Sequence, residues 1–324
     1  MSTFQAQIHN IRDAKTHQKF RIDTIKAIEA ITGRPLIVYA ANTRRSGISI
    51  PTTIDHSDIT GFSDLIEGID SKNIDIVLHS PGGSAEATER IVNLLRENFD
   101  HIRFLIPNIA YSAATMLALS GDEILMDDRS TLGPIDPQII MSTPQGVTTV
   151  PVQEVLDAFE RFRKVLKKEG VKSLPAYLPM LQKYDLHTFE TCRKAKSLAK
   201  TLTQTWLEEY MLKGLPDKKK KAKQITRKFS SHKENLSHGR PIGIRKARKF
   251  GLIITDLRNL PDLRKKLWEL YCAIELYFDR TIVVKLFENS RGVSWARKFG
   301  KPGVRLTPKL PPQRPQQPPR QPKR

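Results

Sequence analysis

The run Ile74-Asp75-Ile76-Val77-Leu78-His79 is cut off by Ser80-Pro81-Gly82-Gly83-Ser84 and followed at once by Ala85 to Phe99. No other stretch constrains the fold as strongly. An apolar run of strand length, stopped by Pro-Gly-Gly and resumed at helical spacing, reads as a strand–turn–helix unit. In the helix Ile91, Leu94 and Leu95 share the inward face, and Glu86 and Glu89 sit near its positive end. The same alternation recurs on both sides. Leu36 to Ala40 reads as a buried strand, and Asp58 to Gly68 holds a short helix with Ser57 or Ser63 as its cap. Ile102 to Ile106 is a strand broken by Pro107-Asn108, Ser112 to Leu119 is an apolar helix, and Glu123 to Met126 is a fourth strand. Strands that alternate with helices predict an α/β protein with a largely parallel sheet.

The flanks differ. Residues 1–34 read as a polar helical segment with a stripe at Ile22, Ile25, Ile28 and Ile31. Residues 41–56 read as a polar loop or hairpin, 152–215 as mainly helical, and 282–288 as one more strand. From Pro302 onward Pro, Gln, Arg and Lys dominate, a composition that cannot bury enough apolar surface to fold. This predicts a helical segment at 1–34, a main domain at 35–257, an extension with one strand at 258–300, and a disordered basic tail at 301–324.

The chain's 324 residues carry a formal net charge of +20. Residues 218–249 contribute +12 and residues 301–324 contribute +7, so nineteen of the twenty charges lie outside the strand–helix core. These two segments read as a solvated linker and a tail, or as a contact for nucleic acid or an anionic membrane surface. Two cysteines make no disulfide framework, and the longest apolar stretch, Ile109 to Leu119, is too short to span a bilayer. The first residues have no apolar core of signal-peptide type. A cytoplasmic protein without a transmembrane segment is expected.

Ser112, in Ala110-Tyr111-Ser112-Ala113-Ala114-Thr115, lies 28 residues after Ser84 at a loop-to-helix junction. Acyl transfer needs a nucleophile, donors for the developing oxyanion and a proton acceptor. Ser112 is the candidate nucleophile, and the N–H groups of Gly83 and Ala113 are the candidate donors. Gly82 and Gly83 let backbone and ligand approach closely. Taken singly, Pro-Gly-Gly is an ordinary turn and a serine before an apolar helix is an ordinary N-cap. Ser84 reads as the cap of the helix from Ala85, and Ser80 and Ser120 as structural.

The segments IDIVLHSPGGSAEA and IPNIAYSAATMLALSGDEILMDDRSTLGPIDPQI, from Ile74 to Ile139, resemble the serine dehydrogenase proteinase family. That family is grouped with Clp protease, signal-peptide peptidase A and the crotonases. The likeness runs from about Gly33 to about Thr255, with SHGRPIGIRKARKFGLI near its end. It implies a right-handed spiral of strands and helices, a ring-like or stacked homo-oligomer, a polypeptide substrate, and neither metal nor organic cofactor. Ser112 matches the family serine, Gly83 the oxyanion glycine and Ala113 the second amide donor.

The base is not singled out. The Clp histidine falls near Leu132 to Asp136, where this chain has none. The signal-peptide peptidases use a desolvated lysine instead, which points to Lys194, then Lys183, among the lysines at 164–196. His238 lies near the Clp acid and is open to reading as a base, an orienter or a turn residue. Asp136, before Pro137, reads as a turn shaper or part of the substrate floor. The expected function is an ATP-independent serine peptidase. The alternatives are an inactive member of the fold that binds peptides or partners, and an acyl-CoA enzyme that shares the oxyanion cradle.

Overall fold

The computed structural model describes residues 2–11, 13–45, 50–143, 146–181 and 186–300. The N-terminal half contains α1 (Thr3–Asn10), α2 (Ala14–Thr32), β1 (Leu36–Ala41), α3 (Asp58–Ile66), β2 (Asn73–His79), α4 (Ala85–Asn98), β3 (His101–Leu105), β4 (Ile109–Ala110), α5 (Ala113–Leu119), β5 (Glu123–Met126) and β6 (Thr131–Leu132). The chain continues through β7 (Gln138–Thr143), β8 (Gly146–Pro151), α6 (Val152–Glu169), α7 (Leu174–Leu181), α8 (Leu186–Trp206), α9 (Lys218–Ser230), α10 (His232–Asn235), β9 (Ile242–Gly243) and α11 (Ile244–Phe250). It ends in β10 (Ile254–Asp256), α12 (Pro261–Arg280), β11 (Val283–Asn289) and β12 (Ser294–Lys298).

Seven strands form the central sheet in the order β10-β5-β3-β2-β1-β11-β12. The first five run parallel, and β11 and β12 close one edge antiparallel. β1 is buried along its whole length, as a parallel strand covered on both faces must be. Successive side chains point to opposite faces. Ile37, Tyr39, Ile76, Leu78 and Phe104 therefore pack with α3, α4, α5, α8 and α9. Leu36, Val38, Ala40, Val77 and Leu105 meet α2 and α12 on the other side. Full burial of such a side chain stabilises by about 1.5–3 kcal/mol before chain entropy is subtracted. This three-layer arrangement is the expected α/β class.

Several local expectations are corrected. Residues 1–34 form two helices because Asp13 caps the second, its Oδ1 accepting from Thr16 N at 2.8 Å. Of the isoleucine stripe, Ile25 and Ile28 are buried, while Ile31 is 45% exposed. A spacing of three drifts by about 60° per step on a helix of 3.6 residues per turn, so four such positions cannot share one face. Ser57 holds the N-cap position of α3 without capping through its side chain, and the Ser63 hydroxyl bonds Ile59 O within the helix. The 218–249 segment is no solvated linker, since α9 buries Ala222, Ile225 and Phe229. Residues 258–300 carry two strands where one is expected, after a long helix that the sequence reading passed over. The expected disordered tail, 301–324, lies outside the described residues. Among the described residues no helix is long and apolar enough to cross a membrane.

Candidate active site

A small three-stranded sheet, β4-β6-β9, sits beyond the end of β2. Ser80 links the two sheets: its N–H donates to Ile109 O and its carbonyl accepts from Tyr111 N, both at 3.1 Å. His79 supports the junction from behind, with Ile109 N donating to its Nδ1 at 3.4 Å. Burial pushes the His79 imidazole down to about 4, with Arg44 adding to the shift, so it is neutral at neutral pH. The turn at Pro81-Gly82-Gly83 is thereby laid beside Tyr111-Ser112-Ala113.

Gly82 and Gly83 are required there by space and by conformation. Gly82 has φ +100°, and a Cβ on it would lie 2.6 Å from Ser112 Cβ and 2.9 Å from Ala113 N. A Cβ on Gly83 would overlap the Ile54 backbone. Ile54 N donates to Gly82 O at 2.7 Å and Ser84 N donates to Ile54 O at 2.9 Å. These bonds bracket Gly83 on one side, so its own N–H faces the opposite edge, as in any extended pair.

Ser112 has φ +52° and ψ −122°, a conformation that L-residues other than glycine rarely hold. It stands at the N-cap of α5 without capping through its side chain, so its Oγ is not used by the helix. Among the described residues nothing hydrogen-bonds to that Oγ, and nothing accepts from the N–H groups of Gly83 or Ala113. Ser84 does cap α4, accepting from Ala87 N at 3.0 Å, and Ser120 bonds Leu117 O within its turn. Thr115 is a residue the sequence reading missed. Its buried Oγ1 donates to Ala110 O at 2.6 Å and also joins Gly133, which ties α5 to β4 and β6.

Gly133 lies against Tyr111, where a Cβ would come within 3.1 Å of Tyr111 Cα. Three residues on, the 3% exposed Asp136 accepts from His238 Nδ1 at 3.0 Å and from His232 Nδ1 at 3.2 Å. His232 Nε2 lies 3.2 Å from Glu154 Oε1. Asp136 is therefore more than a turn shaper. His232 and Glu154 carried no sequence signal, because the cluster is assembled from α6, α10 and two loops.

The expected desolvated lysine is not found at Lys194, which is exposed on α8 and makes no hydrogen bond or ion pair among the described residues. Lys183 lies outside the described residues. Two other lysines on α8 are less exposed. Lys196 Nζ donates to Gln153 Oε1 at 2.5 Å, and with Gln153 it lines a small cavity against Ile135, Asp136 and Ser230. Lys200 is held below the usual lysine range by burial and by the neighbouring Lys196 charge. Gln153, Lys196 and Lys200 also line an open groove of about 420 Å³ between α6 and α8. Among the described residues no group of three His, Cys, Asp or Glu could hold a metal ion.

The family model of the ClpP-like SDH-type serine proteinases matches residues 47–213. The chain belongs to this family. The matched span contains the Gly82-Gly83 turn, Ser112 and Asp136, and it stops short of His238. Two relatives are uncharacterized proteins of Methanocaldococcus jannaschii. MJ1495 is 30% identical over 200 residues, covering 61% of this chain and 56% of the relative. MJ0137 is 27% identical over 210 residues, covering 64% and 59%. The chain thus spans less than two thirds of either relative. Two solved structures are similar, both of the 1510-N membrane-bound stomatin-specific protease. A mutant with a substrate peptide shows 16% identity over 66% of this chain and 75% of that chain, with a TM-score of 0.40. A serine-to-alanine mutant shows 20% identity over 36% and 60%, with a TM-score of 0.28.

Proposed function

We propose that this ClpP-like SDH-type serine proteinase is an active, ATP-independent peptidase in which Ser112 attacks the peptide carbonyl. The N–H groups of Gly83 and Ala113 hold the oxyanion. One observation carries the reading: a serine kept at φ +52°, its Oγ and the two neighbouring N–H groups unbonded among the described residues. Strain of this kind costs about 1–3 kcal/mol and persists where the surroundings impose it, as they do at nucleophiles set on tight turns. The α5 N-terminus adds a positive field at the same point. Membership of a serine-proteinase family supports the substrate class, a polypeptide.

The test is labelling with a serine-reactive fluorophosphonate, followed by peptide mapping. Ser112 should carry the label, and Ser112→Ala should abolish both labelling and peptide cleavage. Wild-type protein that neither labels nor cleaves would sink the proposal. The second reading, a peptide-binding protein without activity, draws on the absence of a bonded proton acceptor at Ser112 Oγ among the described residues. It predicts unlabelled wild type, and peptide binding that Ser112→Ala leaves intact.

A further inference from the structure

Asp136 and His238 stand 102 residues apart in sequence and meet side chain to side chain. An ionised carboxylate only accepts, so His238 Nδ1 carries the hydrogen of the 3.0 Å bond. That fixes the tautomer and leaves Nε2 as the nitrogen with the lone pair. Among the described residues nothing bonds to Nε2. His232 differs, since Asp136 and Glu154 occupy both of its ring nitrogens.

The small sheet brings this imidazole and Ser112 to one end. Ala110, Leu132 and Ile242 form one row across β4, β6 and β9. β4 and β6 are parallel, so the chain leaves both at the same end, toward Ser112 and toward Asp136. β9 is antiparallel to β6, so the chain enters it at that end, coming from His238. The backbone adds an independent sign. Only two non-glycine residues among those described have positive φ, Ser112 and Leu236, and Leu236 lies two residues before His238. Asn235 anchors the same turn, donating to Lys228 O at 3.0 Å and to Phe229 O at 3.3 Å.

We propose that His238, oriented by Asp136, is the proton acceptor for Ser112. Acid and base then exchange the sequence positions they hold in Clp protease. The inference rests on the serine-peptidase reading above. As the Ser112 Oγ–carbon bond forms, the hydroxyl proton passes to His238 Nε2 and the carbonyl electron pair moves onto the oxygen held by Gly83 and Ala113. The imidazolium returns that proton to the leaving nitrogen as the C–N bond breaks. Water then repeats the two transfers on the acyl-enzyme. The titratable groups around the imidazole are Asp136, His232 on α10 and Glu154 on α6, with Lys196 of α8 beside Asp136.

The experiment measures the rate of fluorophosphonate labelling at Ser112 against pH. His238→Gln should slow labelling by about 10²–10⁴-fold, the usual worth of a general base, without changing the melting temperature. Wild-type labelling should lose rate in acid, and His238→Gln should lack that loss. Added imidazole should restore part of the rate to His238→Ala, which a purely structural role would not allow. Lys194→Met should label at the wild-type rate. Undiminished labelling of His238→Gln, or loss in Lys196→Met or Lys200→Met while His238→Gln is unaffected, would overturn the assignment. Unlabelled wild type would remove the peptidase reading and this one with it.

Discussion

Ser112 concentrates the conflict between stability and function at one residue. Glycine accepts its φ of +52° without the steric cost, so Ser112→Gly should be more stable than Ser112→Ala by about 1–2 kcal/mol, although neither can be labelled. Urea titration of the two variants measures the difference, and equal midpoints would mean that the turn is unstrained. Gly82→Ala should be damaging whatever its neighbours do, because its Cβ would press on Ser112 Cβ in a conformation reserved for glycine. Much of this was legible. Pro-Gly-Gly after an apolar run and Ser112 before an apolar helix are local signals, and local signals survive in a linear string. The Asp136–His238 contact was not legible, because no spacing rule reaches across 102 residues. The exposure of Lys194 was not legible for a related reason: burial is a property of neighbours, and α8 turns that position outward.

At the scale of elements, α2 is clamped to the sheet and to α12 by buried polar contacts. Arg21 donates to both Glu288 oxygens at 2.7 Å, with both side chains buried, and its guanidinium lies over the Tyr277 ring. Arg21→Met strands a buried carboxylate and should cost about 3–5 kcal/mol in chemical denaturation. Nearby, His17 Nε2 donates to Ala273 O at 2.7 Å, and burial lowers this imidazole to about 4, against the pull of that bond. His17 and His79 therefore stay neutral in the folded chain while their unfolded counterparts take up protons below about pH 6.5. The unfolded state binds more protons between pH 6.5 and 4, so stability should fall with acid across that window. Melting temperatures that stay flat from pH 7 to pH 4 would contradict this. Most helices up to α8 were readable from their periodicity, but α12 was passed over. The β7–β8 pair was passed over because β8 is exposed from Gly146 to Thr149, so no buried alternation marks that strand.

For the whole molecule, the turn beside Ser112 is tied to β11, far along the chain. Lys285 of β11 is fully buried, and its Nζ donates to Asp58 at 2.7 Å and to Asp55 at 2.9 Å. Tyr39 donates to Asp58 at 3.0 Å, and in the turn itself Ser80 Oγ accepts from Gly82 N at 3.2 Å. Asp55 directly follows Ile54, the residue that brackets Gly83. Lys285→Met should therefore unfold the protein or cost several kcal/mol, and Lys285→Met with Asp58→Asn should recover part of that loss, since the stranded charge is then gone. A double variant no more stable than the single one would place the damage elsewhere.

The strand order has a consequence for synthesis. β1 lies between β2, made soon after it, and β11, made more than two hundred residues later. A chain still on the ribosome holds the serine and both glycines long before Lys285 exists to fix the turn between them. Until β11 emerges and docks, the nascent chain carries Ser112 and both glycines without the strand whose lysine ties Asp55 and Asp58 in place.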